Sequence, residues 1–537
     1  MITKKKFPIR ALFFRDHENA GPADELTPAG LRLRADSGTR LVAGGTVLVG
    51  GSPVRVLRLT PAGARAVEEW LSGTPVGGSP AARQLARRLL DAGIAHPDWG
   101  APDGGDGSSG ADDVTVVIPV RDRYAELGRC LAGLRGLPHV IVVDDCSADP
   151  EAIAAICSEH GARVVRRAVN GGPGAARNSG LAVASTALVA FLDSDCVPRP
   201  GWLDGLLPHF GDQAVGAVAP RIVPHEEGTT WLGRYEGASS TLDMGSRPSI
   251  VRPGARVSYV PGAALVVRKA AAGAGFAAGM YVGEDVDFVW RMADAGWRVR
   301  YEPAAVMGHD HRVRFRAWFG RRRDYGTSAA ALEQLHPGVV RPLYASWWTV
   351  GAWAAALSGR PGIAVTLTGT ATALLARRLS RVTGERWPLP AASGASDAAP
   401  GPATVQTATA QVPFVTDNSK KRARTGAAWA LAIRLAGGGT LAAGRPLGSA
   451  LSRTWWPVAI PAAVAVPKLR LPVAALILAP PLLDWADRRP PLDPARYVTA
   501  RLLDDAAYSL GVWQGCLSHH TIRPLLPVFG PTGGSSP

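Results

Sequence analysis

Cysteine is scarce in this chain and unsuited to group work. Five occur in 537 residues, at 130, 146, 157, 196 and 516, an odd number with no CxxC pair. That spacing suggests neither a zinc site nor a disulfide framework, and points to a reducing compartment. Near the start, Ala11-Leu12-Phe13-Phe14 is followed at once by Arg15-Asp16, so the run is too short for a signal peptide and export is not expected. Nowhere does an uninterrupted run of about 18 apolar residues mark a clean membrane span. The turn from Asn170 to Gly180 is rich in glycine but lacks the Gly-Lys-Ser/Thr of a Walker sequence. It also follows the third strand of its region with the wrong spacing for a dinucleotide fingerprint. Acidic residues are in deficit: 59 Lys and Arg face 44 Asp and Glu, for a net charge of +15. That balance suits anionic lipid, phosphorylated substrates or nucleic acid. Codon bias toward Ala, Gly, Arg and Pro produces the same balance, so charge alone selects none of these.

What is present is organised in blocks, and the length implies two or three domains. Residues 1 to about 22 read as an irregular arm. From Thr27 to Pro97 the pattern is short strands (30–35, 40–51, 54–59) and then two helices, the first opened by Thr60 as N-cap and Pro61, the second over Ala81–Ala92. Pro102 to Asp113 is a Gly, Asp and Ser linker. Beyond it, buried-type strands at 114–118, 140–143, 162–165 and 188–192 alternate with helices at 126–134, 151–159 and 174–184, which predicts an α/β domain around a mainly parallel sheet. After about residue 330 the chain turns apolar and tryptophan-rich. Leu343–Leu357 and Ile363–Ala376 form one zone and Trp455–Trp485 a second, with a mobile linker near 388–424 and a basic cluster (Lys420 to Arg424) between them. Both zones are broken by charge or proline and read as membrane-associated segments, with a packed helical domain as the alternative.

Polar clusters fall at strand ends, where open α/β sheets bind ligands. Asp193-Ser194-Asp195 ends the run Ala187–Leu192, and two carboxylates one residue apart suit Mg²⁺ or Mn²⁺; a capped loop is the other reading. Pro119-Val120-Arg121 and Asp144-Asp145 end two adjacent strands. One of their carboxylates can accept the N3–H of a uracil and the backbone near Val120 can take the other edge, while helix capping remains open for Asp144 or Asp145. The glycine-rich turn opens a helix, with Arg177 one turn in, placed to reach a nucleotide or diphosphate. Glu284-Asp285 starts a later helix, and His309-Asp310-His311-Arg312 follows a strand at 299–302, with Arg314, Arg316 and Arg321–Arg323 beyond.

In order and spacing, Val117–Arg121, Asp144–Ser147, Gly172–Asn178 and Phe191–Asp195 resemble the family 2 inverting glycosyltransferases of GT-A fold. The resemblance extends to Tyr259–Arg268 as an acceptor-side strand and to Gly283–Phe288. It implies UDP-sugar as donor, a divalent metal on Asp195 with His311 (His309 as alternate), and Asp193 toward the nucleoside or metal. It also implies Asp285 as catalytic base beside Glu284, an inverting mechanism, and no nucleic acid partner. The processive members' Gln/Arg-x-x-Arg-Trp element is not reproduced at Arg321–Tyr325. Within the family the chain resembles the mycofactocin-system glycosyltransferases over residues 27–330. Pattern and resemblance together give a domain plan of a winged-helix-like, peptide-binding module (1–100), a linker (101–113), a GT-A domain (114–330) and, from the apolar zones, a hydrophobic helical region (331–537). The branch implies a β-linked glucose delivered to a peptide-derived redox cofactor, with a leader peptide or pathway protein as partner; the apolar zones add the expectation of a membrane surface, with the catalytic domain on the cytoplasmic face. Two alternatives stay open: transfer to a polyprenyl phosphate, and an inactive leader-peptide-binding scaffold.

Overall fold

The computed structural model describes residues 25–42, 45–100, 110–311, 313–383 and 427–530. The expected N-terminal arm, most of the first linker, Arg312, the linker near 388–424 and the basic cluster after it lie outside the described residues. In chain order come β1 (Arg32–Ala35), β2 (Arg40–Val42), β3 (Val47–Gly50), β4 (Arg55–Arg58), α1 (Pro61–Leu71), α2 (Pro80–Asp91) and β5 (Ala95–Asp98). Next are β6 (Val114–Val120), α3 (Tyr124–Ala132), β7 (Val140–Asp144), α4 (Pro150–Glu159), β8 (Arg163–Arg166), α5 (Gly172–Val183), β9 (Leu188–Leu192), β10 (Cys196–Pro198) and β11 (Val215–Pro224). The domain continues with α6 (Trp231–Ser239), β12 (Ser249–Val251), β13 (Ala264–Arg268), α7 (Glu284–Asp294) and β14 (Arg298–His309). Chain contacts divide the molecule into two units, one of residues 1–33 and 75–318, the other of residues 34–74 and 319–537.

The first unit is built on a nine-stranded sheet in the order β10-β14-β11-β13-β9-β6-β7-β8, with β12 paired to β14. β6, β7, β8 and β9 run parallel, as do β11 and β14, whereas β13, β10 and β12 run against them. This is the mainly parallel sheet that the GT-A resemblance implied. β6, β7 and β9 are buried along their whole length, as continuous Val, Ile and Leu runs require when helices cover both faces. Where each run stops, the polar loops begin. At Gly180 on α5 a Cβ would lie 2.2 Å from Val117 Cγ1, so glycine lets the helix lie against β6.

The expected module of residues 1–100 is shared between the units. Helix α2, capped by Ser79 with Pro80 next, is fastened to the sheet domain of the first unit by charge. Arg87 makes a bidentate pair with Asp212 (2.9 and 2.7 Å), and Arg298 reaches Asp91 at 2.9 Å. The antiparallel meander β2-β3-β4 belongs to the second unit, where Val47 and Val49 join a core with Ala376, Leu379, Leu431 and Ala432.

The second unit continues with α8 (Phe315–Leu335), which starts in the first, β15 (Tyr344–Ser346), α9 (Trp347–Leu357), α10 (Pro361–Thr383) and α11 (Ala427–Ala432). Then come α12 (Gly439–Ala442), α13 (Gly444–Ala450), α14 (Trp456–Ala465), α15 (Pro467–Arg488), α16 (Pro494–Ser518) and β16 (Val528–Gly530). The apolar zones are thus helices broken at Pro361 and Pro467. Among the described residues α15 alone is long and apolar enough, by length and composition, to cross a membrane.

Candidate active site

β6 and β7 end flush, Val120 opposite Asp144, so the loops that follow start side by side. Asp122 and Cys146 take left-handed backbone (φ 55° and 66°) and turn these loops sharply. The Asp122 amide donates to Ser147 Oγ at 3.1 Å and the Ala148 amide to Asp122 Oδ1 at 2.7 Å. Asp144 is buried, accepting from the Ser147 amide (2.9 Å) and from Arg166 Nη1 (2.8 Å), and it lines an open depression with Pro150, Glu151, Val164 and Arg166. The cap of α4 falls to Asp149, so neither Asp144 nor Asp145 is needed there. Asp145 instead ties down the glycine-rich turn. Its oxygens accept from the Gly171 amide (3.0 Å), the Gly172 amide (2.8 Å) and Arg167 Nε (2.8 Å). Two amides of the turn expected to face phosphate are therefore occupied by a carboxylate. Pro119 and Val120 are buried in β6, the Val120 carbonyl accepts from the Asp145 amide at 2.9 Å, and Arg121 is exposed.

The acidic pair separates by partner. Asp193 Oδ1 accepts from Arg177 Nη2 at 2.6 Å. Asp195 is buried and faces Arg123 and His309, with His309 Nε2 3.4 Å from Oδ1 and Arg123 Nη1 on Oδ2. Burial alone would raise the Asp195 pKa, but His309 and then Arg123 hold it well below the carboxylate range. Strand pairing explains the histidine: β10 runs antiparallel to the end of β14 and sets Cys196 opposite His309. His311, the first choice from sequence, turns elsewhere. Its Nδ1 is 4.0 Å from Glu236 Oε2, and Glu236 accepts from Trp318 Nε1 at 2.7 Å. His309 is the histidine that the geometry puts at Asp195.

A divalent cation fits this donor set. Asp195 offers a hard oxygen, and His309 has a buried Nδ1 with no hydrogen-bond partner. Among the described residues no three His, Cys, Asp or Glu side chains gather to hold a metal unaided, so a bound diphosphate and water would complete the coordination. The neighbouring thiols are not competitors, since burial raises the pKa of both Cys130 and Cys196.

Arg177 joins the acidic pair to helix α7. It is 2 % exposed, donates from Nη1 to Glu284 Oε1 at 2.8 Å, and stacks over the Phe276 ring at 5.2 Å. Rather than reaching out to a nucleotide, the guanidinium is held inside by two carboxylates. Burial works against its charge, yet Asp193, Glu284 and Asp285 together keep it above the ordinary arginine value. Burial, and next the like charge of Asp285, push Glu284 up to about 7 against the pull of Arg177. Asp285 is half-buried, and its two oxygens accept from the Gly262 amide (2.7 Å) and the Val286 amide (2.9 Å). These bonds aim a carboxylate at the start of a helix, where the dipole favours its anion. A Cβ on Gly262 would lie 2.9 Å from Asp285 Cβ and 3.3 Å from Arg177 Cζ, so position 262 must be glycine for this approach.

Glu236 and the inward turn of Arg123 escaped the sequence reading. Arg123 is one of three charged residues in a row after β6, and nothing local says which one turns inward. Glu236 belongs to no motif. Arg314 and Arg316 are exposed.

Residues 115–273 match the model of glycosyl transferase family 2. The chain is also 38 % identical over 513 residues to the Pre-mycofactocin glycosyltransferase of Mycobacterium tuberculosis, covering 93 % of this chain and 98 % of that protein. This chain belongs to glycosyl transferase family 2. A shorter match, 43 % identical over 100 residues, links this family 2 glycosyltransferase to the succinoglycan biosynthesis protein ExoW of Rhizobium meliloti (17 % of this chain, 31 % of that protein). A solved mannosyltransferase from Pyrobaculum calidifontis, in complex with GDP-Man and Mn²⁺, is 20 % identical with a TM-score of 0.33, covering 51 % of this chain and 84 % of that one. That similarity is too distant to bear on the site.

Proposed function

We propose that this family 2 glycosyltransferase transfers a sugar from a UDP-sugar, with glucose the expected sugar, to pre-mycofactocin in β linkage, with repeated transfer building a short chain. The acceptor reading is supported by the near-full-length similarity to a protein of that name. The catalytic reading is carried by one observation: Arg177 bridges Asp193, two residues before Asp195, to Glu284, whose neighbour Asp285 is the carboxylate at the start of α7.

Asp195 and His309 would hold Mg²⁺ or Mn²⁺, which when bound supplies positive charge to the leaving diphosphate. Asp144, beside its open depression, serves the nucleoside. Asp285 accepts the proton of the acceptor hydroxyl as general base, its orientation set by the Gly262 amide. Attack on the face opposite the nucleotide inverts the anomeric centre without a covalent enzyme intermediate. The peptide-derived acceptor, a leader peptide or pathway protein, and a membrane surface are the partners of this reading. The membrane surface is supported by the apolar side chains that the second unit exposes, Val365 and Leu471 among them.

The same exposed surface favours a second acceptor, a polyprenyl phosphate. Purified protein incubated with UDP-glucose, other UDP-sugars and each acceptor in turn, followed by mass spectrometry and NMR of the new linkage, tests both. A β-glucosylated pre-mycofactocin product is expected. Transfer to the lipid phosphate alone, or an α linkage, would overturn the proposal.

A further inference from the structure

The second unit contains the same helical hairpin twice. α9 and α10 have 11 and 23 residues, α14 and α15 have 10 and 22. Each hairpin starts at a tryptophan pair (Trp347-Trp348, Trp455-Trp456), turns at a proline that opens its long helix (Pro361, Pro467), and carries an arginine pair toward the end (Arg377-Arg378, Arg488-Arg489). Each turn is basic, with Arg360 in one and Lys468 and Arg470 in the other, all exposed.

Both hairpins spring from one base. Trp347 packs on Phe529 at 4.5 Å, Trp455 Nε1 donates to the Leu525 carbonyl at 2.8 Å, and Val350, Leu447 and Trp455 share a cluster with Leu343, Ala345 and Ala450. Away from that base several of their apolar side chains are exposed, Ile363, Val365 and Leu374 on α10 among them, while Ala376, Leu379 and Leu476 are buried. On α15, Leu471, Ala475, Leu478 and Leu482 follow helical spacing along one uncovered face, with Leu471 80 % exposed.

Charge and length identify what covers this surface. Residues 319–537 hold 23 Lys and Arg against 10 Asp and Glu, which places 13 of the net 15 positive charges in this part of the chain. The short legs are about 15–17 Å long. The whole of α15 is about 33 Å long, but its uncharged stretch between Arg470 and Asp484 is about 20 Å, and that of α10 before Arg377 is about 24 Å. The short legs and both uncharged stretches fall short of the roughly 30 Å of a bilayer core. A hairpin inserted tip first would carry its basic turn into hydrocarbon, an expensive place for it. Lying flat keeps the tryptophans and both basic ends at headgroup level, where aromatic and cationic side chains belong.

We propose that the paired hairpins form a seat lying in the plane of one leaflet of an anionic bilayer, apolar faces toward the acyl chains. It rests on the membrane-surface reading above. The test is flotation of the full chain with vesicles of phosphatidylcholine, alone or mixed with phosphatidylglycerol. The mixed vesicles should bind about tenfold more tightly or better. Arg360→Gln with Lys468→Gln should erase that preference, and Leu471→Asp with Leu478→Asp should abolish binding to both vesicles while the thermal melt of the transferase domain is kept. In a Lys468→Cys protein bound to sealed vesicles, a membrane-impermeant maleimide added outside should label the new thiol. Equal binding to both vesicles, or a thiol shielded from that reagent as a spanning hairpin would shield it, would overturn the in-plane seat. Failure to float with either vesicle would overturn the membrane reading as well.

Discussion

Arg177→Met isolates the ion chain at the centre of the site. The substitution keeps an aliphatic side chain over Phe276 and deletes the cation between Asp193 and Glu284. Breaking a buried pair costs about 3–5 kcal/mol when the stranded charge has no escape. Asp193, with its side chain 31 % exposed, escapes into water and adds little. Glu284, with a side chain 7 % exposed, escapes only by taking a proton. Its pKa lies at about 7, raised first by burial and then by Asp285, against an ordinary 4.5. Because the folded value is the higher, the group's stabilising contribution is complete below about pH 4.5 and is lost as pH rises through 7. At about 1.4 kcal/mol per pH unit that loss is roughly 3 kcal/mol. Above pH 7, therefore, Glu284 is an anion that needs Arg177; below it the proton does much of the neutralising. Arg177→Met should destabilise by about 3–5 kcal/mol at pH 8 and by only roughly 1–2 kcal/mol at pH 6, where a hydrogen bond is the main loss. Adding Glu284→Gln should remove most of the deficit at pH 8. Guanidinium denaturation of the four proteins at both pH values, treated as a double-mutant cycle, measures this. An equal deficit at pH 6 and pH 8, or no relief from Glu284→Gln, would refute the reasoning.

Three further outcomes are expected. Asp285→Asn should lower kcat about 10²- to 10⁴-fold with donor KM nearly unchanged; turnover within a few-fold of wild type, measured by UDP release with acceptor present, would remove the base role. His309→Ala should weaken Mn²⁺ binding in the presence of UDP about tenfold or more, and His311→Ala much less, as read by electron paramagnetic resonance; the reverse order would restore the metal to His311. Arg87→Met should destabilise the transferase domain by about 3–5 kcal/mol, because it strands the buried Asp212, and a denaturation midpoint equal to wild type would show that α2 is not fastened there.

The alternation of apolar strands and helices between Val114 and Leu192 was readable directly, since a run such as Val114–Val120 suits little else than a buried strand. The helix start at Pro61 was readable as well, because Thr60 caps an amide three residues on, whereas the second helix starts at Pro80 after the Ser79 cap, one residue before the Ala81 read from sequence. These are local matters of backbone preference and burial period. The polar clusters at strand ends were visible for the same reason: the apolar run stops and the acids begin.

Partnership between clusters was not readable. The sequence by itself determined which acids stand at the sheet's edge, because that depends only on where each strand ends. Tertiary structure alone decided that Asp195 meets His309 and not His311, through the antiparallel pairing of β10 with β14. It decided that Arg177 turns inward to Glu284, 107 residues away, and that Asp145 holds the glycine-rich turn. It also shared the N-terminal module between two units. A side chain's charge is written in the sequence, but which opposite charge neutralises it depends on what the fold brings within about 3 Å, and that distance is set by packing.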